Sequence, residues 1–156
     1  MLNWHCKSYQ QLSANQLFAI YQARQQVFIV EQNCPYPDID LLDKQCLHLF
    51  ACNDATEKDP EPEILAYLRI IPPATQYPQA SFGRVLTTEA ARGTGAGKTL
   101  VAKALQHLEQ AHPSVDIKIS AQLYLQKFYA NFGFVTISDV YLEDDIEHLD
   151  MLLKHD

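Results

Sequence analysis

A chain of 156 residues is the length of one domain, and 47 % hydrophobic residues suffice for a core. A formal charge of -7 excludes a general binder of nucleic acid or of an anionic membrane, and it suits a cationic partner. No basic region followed by an apolar run opens the chain, and nowhere do about 18 apolar residues follow one another, so a soluble, cytoplasmic protein is expected.

In chain order, Leu2, Trp4 and Cys6 alternate with Asn3, His5 and Lys7, the period of a half-buried strand. Ser13 and Gln16 form a capping box, Leu12 and Leu17 stand at staple positions, and Leu17, Ile20, Tyr21, Val27 and Phe28 share a face, which predicts a helix. Residues 30–43 hold two prolines and four acids with no sustained period, so a loop or short helical turns are expected there. Strands at 47–52 and 64–71 read as antiparallel neighbours around 53–63, an acidic loop taken as a solvated connection. A Pro-rich stretch, 72–80, leads into a strand at 82–87.

Leu100, Val101, Ala104, Leu105 and Leu108 make the stripe of a second helix, stopped at His112-Pro113. A buried strand at 115–121 then lies parallel to 82–87 through a strand, helix, strand crossover. A third helix spans 122–132, closed by Gly133, and strands at 135–141 and 148–154 flank the acidic turn Glu143-Asp144-Asp145. The expected class is α+β, one domain over 1–156, with mixed and mostly antiparallel strands. Cys6, Cys34, Cys46 and Cys52 contain no C-x-x-C, so thiols are expected rather than disulfides or zinc, and no metal.

The run Arg92-Gly93-Thr94-Gly95-Ala96-Gly97-Lys98-Thr99 has the makings of an anion site. Its three glycines sit at the start of a helix, where bare N–H groups suit a phosphate, beside two cations that oppose the helix dipole. A P-loop would need glycine at position 92, where arginine stands, and the dinucleotide pattern fails at Lys98 or at Leu100. The pattern that fits is [RQ]-x-x-G-x-[GA], at Arg92, Gly95 and Gly97, after the strand Phe82-Gly83-Arg84-Val85.

That run resembles the acyl-CoA loop of the GNAT superfamily of N-acetyltransferases. Val27-Phe28-Ile29-Val30-Glu31-Gln32-Asn33-Cys34-Pro35-Tyr36, with Asp38-Ile39-Asp40, is similar to the opening of the ElaA-type branch. Leu125-Gln126-Lys127-Phe128-Tyr129-Ala130-Asn131-Phe132-Gly133-Phe134 resembles the second GNAT motif, whose tyrosine lies by the CoA sulfur. The resemblance implies the GNAT fold: a twisted sheet of about seven strands, helices on both faces, and a central parallel pair splayed at the acyl-CoA site. It also implies that the loop's amides hold the CoA pyrophosphate. The backbone of Val85, Leu86 and Thr87 would pair with the pantetheine arm. Gln122 stands where many members carry asparagine.

The activity implied is transfer of an acetyl group from acetyl-CoA to a primary amine of a small, cationic acceptor. Helical spacing puts Phe128 and Phe132 in the core and Gln122, Gln126, Tyr129 and Gly133 on a stripe facing a cleft. Tyr129 is assigned a hydrogen bond to the leaving thiolate. The amine's proton could go to Glu31, Asp40, His48, Glu89, Glu143 or His148, with Glu143 and His148 preferred. A carrier built from Cys34 and His48 is disfavoured against direct transfer, since the resemblance supplies no nucleophile. Family placement puts the acceptor between residues 31–43 and 143–148, both acidic and free of Lys and Arg, with Glu31, Asn33, Cys34, Asp40 and His48 as its contacts. A non-catalytic acyl-CoA-binding domain and a P-loop-like nucleotide-binding protein are the alternatives. A homodimer is compatible with the sequence but not specified by it.

Overall fold

The structure is a computed structural model that describes residues 2–53, 57 and 61–156. Among these, eight strands form: β1 Asn3–Ser8, β2 Leu47–Asn53, β3 Glu63–Ile71, β4 Ser81–Thr87, β5 Ile117–Gln122, β6 Val135–Thr136, β7 Tyr141–Glu143 and β8 Ile146–Leu153. Three α-helices accompany them: α1 Ala14–Arg24, α2 Ala96–Ala111 and α3 Gln126–Ala130. Most of the 53–63 connection lies outside the described residues.

The capping box forms: Gln16 N–H donates to Ser13 Oγ at 3.1 Å, and Ser13 N–H to Gln16 Oε1 at 3.0 Å. Past Arg24 the helix does not continue as α. It widens into π turns over Gln25–Glu31, with Val27 and Phe28 buried. The third expected helix is shorter than its sequence pattern suggests. Gln122 ends β5, a 3-10 turn follows over Leu123–Leu125, and α3 keeps only five residues before Gly133 reverses the chain at φ 99°.

The first four strands form an antiparallel sheet in the order β1-β2-β3-β4. In the second sheet β8 pairs with β5 on one side and with the short β6 and β7 on the other, all antiparallel. One sheet of about seven strands is therefore corrected to two sheets of four. Among the described residues they are joined at a single parallel bridge, where Ala80 N–H donates to the Asp116 carbonyl at 3.1 Å and Lys118 N–H to the Ala80 carbonyl at 2.9 Å. Beyond it, β4 and β5 are each the edge of their own sheet.

The strand expected at 135–141 is broken in two. The Ser138 hydroxyl accepts from Asp150 N–H at 2.8 Å, so a side chain takes a place in the ladder that a backbone carbonyl would hold. Asp144 and Asp145 then turn the chain with φ of 50° and 62°, the left-handed pair of a tight hairpin.

Alternation along β2 makes the layers. Leu49 and Ala51 pack in a cluster with Leu100, Val101, Ala104 and Leu108 of α2, whereas Phe50 and Cys52 join Ala19, Ile20 and Ala23 of α1. Helices thus cover both faces of the first sheet. The strand after α2 is not buried throughout, as expected, but alternates: Ile117, Ile119 and Ala121 point inward, and Lys118, Ser120 and Gln122 are half-buried. Cys6 is exposed, Cys34, Cys46 and Cys52 are buried, and none forms a disulfide. No helix among the described residues is long and apolar enough to cross a membrane.

His48, on β2, is fully buried. Its Nε2–H donates to the Asp43 carbonyl and its Nδ1 accepts from the Tyr67 hydroxyl, both at 2.8 Å. Burial holds the imidazole below its ordinary value, opposed in part by Asp43. In the unfolded chain the ring takes a proton near 6.5, where the folded chain does not. The unfolded state therefore binds more protons just below that pH. Stability is complete above it and falls as the pH drops through it. His48→Gln should flatten this part of the curve in urea titrations run from about pH 7 to about pH 5, and a level wild-type curve would contradict the assignment.

Candidate active site

A cleft of about 540 Å³ lies between β4 and β5, lined by Gly83 to Thr87 of the one and Ile119 to Gln122 of the other. The β4 wall is irregular. Tyr67 pairs with Leu86 and Arg69 with Gly83, so Leu68 alone opposes both Arg84 and Val85. Arg84 takes φ 52° to accommodate the extra residue. Such a bulge leaves part of the backbone without a ladder partner and re-aims it, here along the cleft.

The glycine-rich run ends at the start of α2. Gly93 and Gly95 have φ of 77° and 84°, which non-glycine residues adopt at a cost, and Gly95 is the N-cap. A Cβ on Gly97 would meet Thr87 Cγ2 at 3.5 Å, so the first turn of α2 lies in van der Waals contact with β4. Of the expected cofactor contacts, Val85, Leu86, Thr87, Arg92, Gly97, Gln122 and Tyr129 line the cleft. Gly93, Thr94, Gly95, Ala96, Lys98 and Thr99 stand outside its walls. Thr94 caps the Ala91 carbonyl, Ala96 is buried, and Lys98 and Thr99 are exposed. Arg92 is not an unattached cation: its Nη2 bonds both Glu31 carboxylate oxygens, at 3.0 and 2.7 Å, and the Thr87 carbonyl at 3.1 Å.

Tyr129 is 3 % exposed, yet it lines the cleft. Its ring packs against Phe82, Phe128 and Phe134 at centroid distances of 6.1, 5.1 and 6.0 Å. Burial, with Tyr124 nearby, pushes its phenol well above the usual value. His148 and Glu143 meet at the far wall, with Nε2 and Oε2 3.8 Å apart. His148 Nδ1 lies 2.7 Å from the Ile146 carbonyl and must carry a proton to bond it, which leaves Nε2 with the lone pair in the neutral ring.

Of the expected acceptor contacts, Glu31 and Cys34 reach the cleft. The two acidic segments do converge: Cys34 Sγ–H donates to the Asp144 carbonyl at 3.2 Å. Asn33, at φ 48°, is exposed outside the walls, and neither Asp40 nor His48 is brought to the cleft. Segment 31–43 is also not the uncompensated acidic wall expected of it. Arg24 from α1 bonds Asp38 Oδ2 at 2.9 Å and Asp43 Oδ1 at 2.7 Å. Arg69 from β3 holds Asp40 at 2.6 Å and Asp43 at 2.9 Å, and Arg84 holds Asp38 at 2.8 Å. Burial would raise the Asp40 carboxyl, but Arg69 and then Arg84 carry it below its usual value. The segment itself lacks arginine; its partners come from elements distant in sequence. Signals for two of them were present: Arg24 stands one turn after Ile20 on the apolar face of α1, and Arg69 interrupts an apolar strand. Among the described residues no group of three His, Cys, Asp or Glu side chains is placed to hold a metal ion.

A glycine-bearing helix start set against a bulged strand, at a cleft lined by the edge strands of two sheets, is the arrangement of an acyltransferase domain, and comparison with known proteins gives the family. The model of the acetyltransferase (GNAT) domain matches residues 65–155, and the chain belongs to that family. It is 41 % identical to a UPF0039 protein of Synechocystis, over 98 % of this chain and 96 % of that protein. It is 38 % identical to protein ElaA of Escherichia coli, over 97 % and 95 % of the two chains. Among solved structures, an acyl-CoA N-acyltransferase from Pseudomonas aeruginosa superposes with a TM-score of 0.88 at 41 % identity, covering 97 % of this chain and 99 % of that one. The Escherichia coli ElaA structure superposes with a TM-score of 0.85 at 36 % identity, with the same coverage.

Proposed function

We propose that the chain is an acyl-CoA-dependent N-acyltransferase that moves an acetyl group from acetyl-CoA directly to the primary amine of a small, cationic acceptor. The observation that carries this reading is the cleft between the edges of β4 and β5, with a bulged backbone along one wall and the glycine-bearing start of α2 against it.

Acetyl-CoA supplies an activated thioester, and the chain's residues do the rest. The backbone of Val85, Leu86 and Thr87, on a strand with no ladder partner on its cleft side, suits strand-like pairing with the pantetheine arm, one amide polarising the carbonyl. The first N–H groups of α2 suit the pyrophosphate, and Gly97 lets it approach closely. Tyr129, kept protonated by its raised pKa, donates a hydrogen bond to the leaving thiolate. His148 Nε2 takes the amine's proton, with Glu143 placed to stabilise the imidazolium. Because the acids of 31–43 are paired with arginines, attraction for a cation comes from Glu143, Asp144, Asp145 and Glu147.

The test is calorimetry with acetyl-CoA, followed by CoA release with a panel of primary amines. Gly97→Asp places a carboxylate at the helix start without forcing an unusual φ, and like charges brought together cost several kcal/mol, so acetyl-CoA binding should weaken about a hundredfold or more. Gly95→Asp should do the same, but it also strains a residue at φ 84°, so Gly97→Asp with an unchanged far-UV CD spectrum is the cleaner variant. Equal affinity of wild type and Gly97→Asp would remove the loop from the binding site.

A further inference from the structure

The half-buried face of β5 and its neighbours carries a chain of hydrogen bonds that the proposed mechanism does not use. Ser120 lies directly opposite Asp150 of β8, and Tyr141 of β7 lies opposite His148 on the other side of β8. Tyr141 donates its hydroxyl proton to Asp150 Oδ1 at 2.6 Å, and Ser120 Oγ is 2.5 Å from the same phenol oxygen. Lys118 Nζ stands 3.8 Å from the other oxygen of Asp150.

The direction of this chain follows from counting protons. A carboxylate only accepts, so Tyr141 must give its single proton to Asp150. Ser120 then has one proton and two acceptors, the phenol oxygen at 2.5 Å and Glu143 Oε2 at 3.4 Å, and the shorter bond takes it. Burial and Asp150 push the Tyr141 phenol above its usual value, against a smaller pull from Ser120, so this proton is retained. Ser120 lines the cleft with its donor spent and its lone pairs unassigned. Glu143 Oε2 lies 3.4 Å from Ser120 Oγ, where it is the weaker claimant on the hydroxyl proton, and 3.8 Å from His148 Nε2, so Ser120 and His148 flank one carboxylate.

We propose that Ser120 is a substrate-orienting residue: its Oγ accepts one N–H of the acceptor amine while His148 Nε2 accepts the other, leaving the nitrogen lone pair to face the thioester. Asp150 and Tyr141 are positioning residues that fix the polarity of Ser120. This rests on the acyltransferase reading above and adds to it a basis for choosing primary over secondary amines, since a secondary amine has one N–H for two acceptors.

The probes are tyramine, cadaverine and lysine amide, each compared with its mono-N-methyl derivative, in assays of CoA release. Ser120→Ala should lower kcat/KM for the primary amines about 10- to 100-fold, the range of a lost hydrogen bond to a charged or reacting group. It should leave the KM for acetyl-CoA and the thermal midpoint unchanged and erase the preference over the N-methyl compounds. Ser120→Thr should restore both rate and preference. Asp150→Asn, whose amide can donate to Tyr141 and reverse the chain, should cost as much as Ser120→Ala with the Ser120 hydroxyl still in place. Unchanged amine kinetics in Ser120→Ala, or a wild-type preference retained in both Ser120→Ala and Asp150→Asn, would overturn the proposal while leaving the acyltransferase reading intact. A wild-type protein that binds acetyl-CoA but transfers to none of the three amines would overturn it too. Failure to bind acetyl-CoA at all would remove both readings.

Discussion

Tyr129→Phe is expected to lower kcat about 10- to 1,000-fold at a nearly unchanged KM for acetyl-CoA, the span covered by acid–base and oxyanion-type contacts. The ring is held by Phe82, Phe128 and Phe134, and phenylalanine keeps every one of those contacts. What disappears is a hydroxyl that makes no hydrogen bond among the described residues and belongs to a side chain lining the cleft. A bond formed only as the thiolate leaves is felt in kcat and not in ground-state binding. Because burial raises the phenol, the donor proposed at Tyr129 is expected to stay protonated and to add no basic limb to the rate profile. An unaltered single-turnover rate would assign Tyr129 to packing alone.

Asp43→Ala is expected to destabilise the fold by about 3–5 kcal/mol, the cost of removing one partner from a buried charge network. Asp43 is 1 % exposed, and its Oδ1 accepts from both Arg24 at 2.7 Å and Arg69 at 2.9 Å, themselves 0 % and 4 % exposed. The network is not assumed to stabilise more than an apolar core of the same shape would; the loss arises because two buried guanidinium groups each lose one of two carboxylates, Arg24 keeping Asp38 and Arg69 keeping Asp40. Against a typical domain stability of about 5–15 kcal/mol this is a large fraction, read as a fall in urea midpoint at constant slope. A loss below about 1 kcal/mol would mean that water reaches the arginines and takes over. Segment 31–43, which carries Cys34 and Tyr36 to the cleft, would loosen in the variant, so the KM of the amine should rise with it.

Where one residue's surroundings are local, the sequence was a sufficient guide. The α1 cap, the stripe of α2 and the turn at Gly133 each depend on neighbours within a few residues, and each is found. The glycine run was legible for the same reason. Pairings between distant segments were not. Arg92 and Glu31, which the sequence alone sends to pyrophosphate and acceptor separately, bond each other across 61 positions. Asp38, Asp40 and Asp43 looked like an open acidic wall because their arginines lie on α1, β3 and β4. Ser120, Tyr141 and Asp150 escaped notice because their significance lies in strand register: a Ser opposite an Asp becomes visible only once β5 and β8 are paired.

The single bridge between the two sheets has a consequence for solubility. β4 and β5 each present a row of backbone donors and acceptors, which on an outer surface would invite another chain to add itself as a strand and so begin aggregation. Here those rows border the cleft, with the bridge at Ala80 closing one end and the contact between Cys34 and Asp144 drawing its rims together. Enclosure in a cleft does for these edges what charge or proline does on an exposed one.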